Sequence, residues 1–266
     1  MESEYELEVK KYGKKDAIIA LCAWLVWVAV VLIGWGITSL GLTQVQSLII
    51  QILLISIIPT GIVFTIVIIK KQGLNSIGIH NTRLLPTLRF GVLLALILSV
   101  FGIMPGLIYG WEFNSLGMTT LLLLYAFILA AAEDILFVGY LQTRLYGIFK
   151  KDVTAIFIGA VLFTLPHIPV ALISPYLGLG FVSYLVMLFI AHVLMVLVFR
   201  RYFSLIPVFI AHTLGNFFSI GDIWSEFNPE YSEFWTGNAL ILILLILVAL
   251  EIVRWWRNRA KRQTLS

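Results

Sequence analysis

Eight times along this chain an apolar run of about 20 residues recurs, the length a helix needs to cross roughly 30 Å of hydrocarbon. The runs cover approximately residues 17–40, 47–69, 88–109, 117–143, 153–172, 178–199, 204–220 and 235–253. Composition supports reading them as membrane spans. Only 12% of the 266 residues are charged and 61% are hydrophobic, whereas a soluble domain carries about 25% charge. The expected fold is an all-α, polytopic transmembrane bundle of about eight spans. It forms a single membrane domain over residues 1–266 of an integral, multi-pass protein, placed in the cell membrane for a prokaryotic source.

Charge placement tests this topology independently of hydrophobicity, because cytoplasmic loops hold the Lys and Arg of a membrane protein. On the eight-span reading all 18 basic residues fall on one side. Lys10, Lys11, Lys14 and Lys15 precede the first span, and Lys70, Lys71, Arg83 and Arg89 separate the second from the third. Arg144, Lys150 and Lys151 follow the fourth, and Arg200 and Arg201 follow the sixth. Arg254, Arg257, Arg259, Lys261 and Arg262 follow the eighth. The opposite loops carry only acids such as Glu112, Asp222, Glu226, Glu230 and Glu233. Both termini are therefore expected in the cytoplasm. Basic loops facing an anionic leaflet account for the pI of 9.2 without a nucleic-acid partner.

The first run follows an acidic head, "MESEYELE", and has neither the length of a signal-peptide core nor a small-residue cleavage site, so it reads as a retained anchor. The one cysteine, Cys22, excludes an internal disulfide and a cysteine-based metal site. "KKQGLNSIGIHNTRLLPTL", from Lys70 to Leu88, reads as a partly amphipathic cytoplasmic connector with His80 a solvated loop residue.

Function is sought among polar groups that lipid makes unfavourable, since an ionisable side chain at mid-helix costs about 2.5–3.5 kcal/mol on insertion scales. Glu133 and Asp134 lie in the fourth run, His167 in the fifth, His192 in the sixth, and His212 with Asn216 in the seventh. Glu251, three residues before Arg254, is explained by a local pair or by snorkelling. His212 and Asn216 are four apart and share a helix face, as do Phe163 and His167. Glu133 and Asp134 diverge by about 100° on an ideal helix and are expected to do different jobs, Glu133 sharing a face with Phe137 and Asp134 with Val138. At 1.5 Å per residue Glu133 lies roughly 16 Å from Arg144, and His212 roughly 16 Å from Arg201. A shared cavity at that depth is allowed. His167, about 24 Å from Lys151, is expected deeper unless Pro166 and Pro169 disturb its helix.

These residues carry a resemblance. "EDILFVGYLQTRL", "FTLPH" and "SLIPVFIAHTLGN" are similar to the three motifs of the CPBP intramembrane proteases, a family that includes the CAAX-processing, Ras-converting endopeptidases: EExxxR, FxxxH and HxxxN or HxxxB, on separate transmembrane helices in this order. The similarity covers a core of about 117–220. It implies an intramembrane endopeptidase acting on a membrane-bound protein or peptide, with a prenylated CAAX-type substrate as one class. In that family Glu133 corresponds to the general base on water, His167 to the residue orienting that water, and His212 with Asn216 to the oxyanion donors. Asp134 and Phe163 take supporting positions. Some accounts treat the family as metalloproteases. Glu133, His167 and His212 would suit zinc, and the sequence leaves metal and metal-free mechanisms open.

Two departures bear on activity: Asp134 replaces the second motif glutamate and Val138 the arginine, leaving the acid without its cation. Asp134 is then expected to be protonated or hydrogen-bonded to backbone, hydroxyl or His groups. His192 matches no motif position and reads as structural, with contact to Asp134 a lesser alternative. Two other functions stay open: a catalytically impaired relative serving as a membrane binding or peptide-immunity protein, and a proton-coupled transporter using the acids and histidines as a relay.

Overall fold

In the computed structural model, residues 3–38, 40–80, 82–109, 115–169, 179–219 and 229–263 are described. They fold as helices joined by short turns, with no strand among them. The helices are α1 (Glu4–Val9), α2 (Lys14–Thr38), α3 (Gln44–Ile69), α4 (Leu84–Tyr109), α5 (Leu116–Leu145), α6 (Asp152–His167), α7 (Leu179–Tyr202), α8 (Ile206–Ser219) and α9 (Pro229–Gln263). Four of them, α2, α3, α5 and α7, are long and apolar enough to cross a membrane. The shorter apolar stretches Leu84–Val100, Asp152–His167 and Ile206–Phe217 lie on α4, α6 and α8. Glu112, Asp222 and Glu226 of the acidic loops lie outside the described residues, as do the end of the fifth expected span and the first residue of the sixth.

α5 is the hub. About 61% of its most apolar stretch is buried within the protein, against 22–33% for the other three long helices, and it touches α1, α2, α3, α6, α7 and α8. Gly139 makes part of this closeness possible. A Cβ there would lie 2.7 Å from the Ile77 carbonyl oxygen, so the 3-10 turn Leu74–Ile77 can rest directly on α5.

Two prolines break helical hydrogen bonding, and α2 repairs both breaks. Pro59 has no N–H to give the Ile55 carbonyl, and α3 widens into a π segment over Ile52–Ile57 just ahead of it. The Trp27 indole donates to the Ile55 carbonyl instead, at 3.1 Å. Pro166 likewise leaves the Leu162 carbonyl without its α-helical donor, and α6 tightens into a 3-10 turn over Leu165–His167. Trp24 supplies that carbonyl with an indole N–H at 2.9 Å. In lipid, where no water can step in, such repairs keep irregular backbone tolerable.

Several segments that read as basic loops are instead packed together at one end of the bundle. Arg144 is fully buried in the last turn of α5. It donates to the Ser76 carbonyl (3.0 Å), Ser76 Oγ (2.9 Å), Gln72 Oε1 (2.6 Å) and Thr143 Oγ1 (2.6 Å), and its guanidinium lies over the rings of Tyr12 and Tyr140. His80 is not a solvated loop residue. Its Nε2 pairs with the Phe203 carbonyl and its Nδ1 with Thr82 Oγ1, which ties the connector to the end of α7. Glu251 pairs across helices with Arg201 at 2.7 Å, not with Arg254, because α9 packs on α7. Cys22 is free and exposed on α2. Arg200 pairs with Asp152 at 2.9 Å. α1 docks at this same end through Tyr5, which is fully buried edge-on to Tyr146, Phe199 and Phe203. Burial pushes the Tyr5 phenol up to about 12, so it is a neutral hydroxyl at physiological pH.

Candidate functional site

The site is built where α5 departs from α-helical winding. A π segment runs over Asp134–Leu141, starting immediately after Glu133 and closing with the Gln142 N–H on the Phe137 carbonyl, five residues back. π turns of this kind often lie at functional sites. They also change the angle between successive side chains, which alters the expectation drawn from ideal winding.

Glu133 and Asp134 do not point apart; they address one imidazole from two sides. His212 on α8 places Nδ1 3.0 Å from Asp134 Oδ1, a hydrogen bond, and Nε2 3.5 Å from Glu133 Oε2. All three residues are buried. The second distance is beyond ordinary hydrogen-bond length, so Glu133 lies beside His212 without being tied to it. Asp134 therefore has the His partner that was one of the options for it. It holds the ring through one nitrogen while the other faces Glu133. Its second oxygen, Oδ2, has no partner among the described residues. An arginine in place of Val138 would be the natural donor to it, and Val138 is a buried apolar side chain.

His167 sits on the 3-10 turn that ends α6, half-buried, and donates its Nδ1–H to the Phe163 carbonyl at 2.8 Å. That bond fixes the tautomer and leaves Nε2 as the acceptor nitrogen. Phe163 lies 5.0 Å from the His167 ring and 5.1 Å edge-on from Phe137, which in turn packs edge-on against Trp27 at 4.9 Å. An apolar wall thus runs from α2 through α5 to α6, with the acids on its α5 member. Among the described residues no hydrogen bond joins His167 to Glu133 or His212. Asn216 is half-buried one turn beyond His212 on α8 and bonds to none of the other site residues.

His192 does not reach Asp134. It is fully buried and stacks on Phe163 at 4.8 Å with the rings 18° from parallel. Glu133, His167 and His212, the three donors considered for zinc, do not form a metal-holding group, and no group of three or more His, Cys, Asp or Glu does so among the described residues. As placed, these side chains do not fit the ion. What the arrangement offers is a buried carboxylate held only by a 3.5 Å ion pair to His212, a second carboxylate hydrogen-bonded to that histidine, and an apolar aromatic wall that strengthens electrostatic interactions beside it.

Sequence reading missed Trp24, Trp27 and Gln142. The tryptophans were hidden because their partners lie 138 and 28 residues away in the chain. Gln142 left a weak trace, an amide closing an otherwise apolar run.

Residues 115–218 match the family model described as type II CAAX prenyl endopeptidase Rce1-like. The matched stretch contains Glu133, Asp134, Phe163, His167, His212 and Asn216. No curated protein and no solved structure matches the chain.

Proposed function

From the match of residues 115–218 to the type II CAAX prenyl endopeptidase Rce1-like family model, we propose that the protein is an intramembrane endopeptidase of the CPBP type. It hydrolyses a peptide bond of a membrane-bound protein or peptide, with a prenylated CAAX-type C-terminus as the substrate class to test first. The observation that carries the proposal is the pair of acids on one imidazole: Asp134 bonded to His212 Nδ1, and Glu133 close to Nε2 yet unbonded.

In this reading Glu133 is the general base. It takes a proton from water as the oxygen attacks the scissile carbonyl, and later passes that proton to the leaving amine. His167, its Nδ1 committed to the Phe163 carbonyl, presents Nε2 to orient the water. Asp134 holds His212 through Nδ1–H as the imidazolium, and the Nε2–H of that ring with the Asn216 amide stabilises the negative charge on the tetrahedral oxygen. Lipid surrounds the bundle, which crosses the membrane about eight times with both termini in the cytoplasm.

The test uses the purified protein in lipid nanodiscs with a farnesylated CAAX peptide, cleavage being read by mass spectrometry. Glu133→Ala is expected to lower the rate about 10²–10⁴-fold. Cleavage unchanged by that substitution would overturn the proposal. A second reading is favoured by one observation, the apolar Val138 beside the unpaired Asp134 Oδ2: a catalytically impaired relative that binds a membrane peptide. Its signature is a cellular phenotype that survives Glu133→Ala while the purified protein cleaves nothing.

A further inference from the structure

Toward the end of the bundle where the basic segments gather, a second group of buried polar atoms lies outside the proposed catalytic set. Gln142 and His192 are both fully buried, and neither the amide oxygen and nitrogen of the one nor the two ring nitrogens of the other have a hydrogen-bond partner among the described residues. The hydroxyls of Tyr5 and Tyr146 are in the same position. Six such atoms gathered in one region call for a partner, because leaving a buried donor or acceptor unpaired costs about 1–3 kcal/mol each.

The six are neighbours. A Cβ on Gly159 would lie 2.1 Å from Gln142 Oε1 and 3.5 Å from His192 Nε2, so these two atoms are within about 5.6 Å of each other, the span of two hydrogen bonds through one water. Gln142 Oε1 occupies the place where a side chain at Gly159 would stand, so the amide rests directly on α6. On the other side of Gln142, the Tyr5 hydroxyl lies beside the Gln142 amide and the Tyr146 hydroxyl, the two tyrosine rings 5.9 Å apart. Beyond Tyr5 lies the Arg200–Asp152 pair, Arg200 standing over the Tyr5 ring at 5.2 Å and Asp152 partly exposed. At the inner end His192 stacks on Phe163, which also lies 5.0 Å from the His167 ring.

We propose that Gln142, His192, Tyr5 and Tyr146 form an internal water-binding site, a short hydrated channel from the Arg200–Asp152 surface to the Phe163 ring, with one water bridging Gln142 Oε1 and His192 Nε2 over Gly159. The chemistry selects the occupant. Every lining group is neutral and able to donate or accept, no charge invites an ion, and a small site with several polar partners is what a buried water requires. α1 closes the outer end through Tyr5.

Synchrotron hydroxyl-radical labelling of the full-length protein in nanodiscs tests this, because buried side chains are modified only where water is bound beside them. Tyr5 and Tyr146 are expected to be labelled at least threefold more than Phe137, which is equally buried, and to lose that excess in Gly159→Ala. Since Gly159→Ala also displaces the Gln142 amide, His192→Phe and Gln142→Leu are measured beside it for melting temperature. In a hydrated site both lower it, by about 2–4 °C; in a dry one both raise it by removing unpaired groups. Labelling at the Phe137 level, or a rise in melting temperature in both variants, overturns the proposal. None of these readouts passes through peptide cleavage, so the water site and the protease reading stand or fall separately.

Discussion

Asp134 Oδ2 is the atom on which the departure from the family pattern registers. Its sister oxygen is engaged by His212 at 3.0 Å, and a position four residues on, where the motif carries arginine, holds the buried Val138. The nearest basic residue along the helix, Arg144, cannot substitute, since its guanidinium is committed to Ser76, Gln72 and Thr143. Restoring both motif residues, Asp134→Glu with Val138→Arg, should therefore raise cleavage of the farnesylated peptide about tenfold, the lower range of effects seen when support around a site is altered. Equal kcat/KM in the double variant and the parent would show that packing around Val138 already compensates. At this scale much of the site was legible. Glu133 and His212 were assigned the same depth from their spacing to Arg144 and Arg201, and the structure brings them together. What spacing could not give was the convergence of Glu133 and Asp134, because a 100° separation assumes α-helical winding and the helix turns π at Asp134.

Elements explain why the histidine of the second motif is where it is. Pro166 ends α-helical bonding in α6, the chain tightens by a 3-10 turn, and His167 is presented from that turn with its ring fixed by Phe163. This irregularity stands because Trp24 supplies the Leu162 carbonyl; Trp27 does the same for α3 at Ile55. Prolines are visible in a sequence, but the donors that compensate for them are not, since the pairing is tertiary. Trp27→Phe keeps an aromatic ring, smaller than the indole, while removing the N–H, and leaves a buried carbonyl short of a donor. The expected loss is about 1–3 kcal/mol, read as a fall of roughly 2–4 °C in melting temperature per kcal/mol for a chain of this size. Trp27 also packs on Phe137, so a fall in stability with cleavage per folded molecule unchanged would assign the indole N–H to the fold alone.

For the whole molecule the decisive feature is polarity along the bundle. Contacts tie Tyr5, Gly13, Gln72, Ser76, His80, Arg144, Gly147, Asp152, Arg200, Phe203 and Glu251 to one end, so the segments that carry basic residues gather there. The one-sided charge count had anticipated this clustering, although not the burial of Arg144. α5 is about 45 Å long at 1.5 Å per residue, more than the hydrocarbon thickness, so its two ends should emerge on opposite sides. With Cys22 changed to Ala, single cysteines at Ser115→Cys and Lys150→Cys report those ends, both exposed. In sealed cells a membrane-impermeant maleimide is expected to label the first and not the second, and in inverted vesicles the reverse. Labelling of both from one side would deny that α5 crosses. The opposite pattern would place the basic end outside the cell, against the rule that Lys and Arg stay in the cytoplasm.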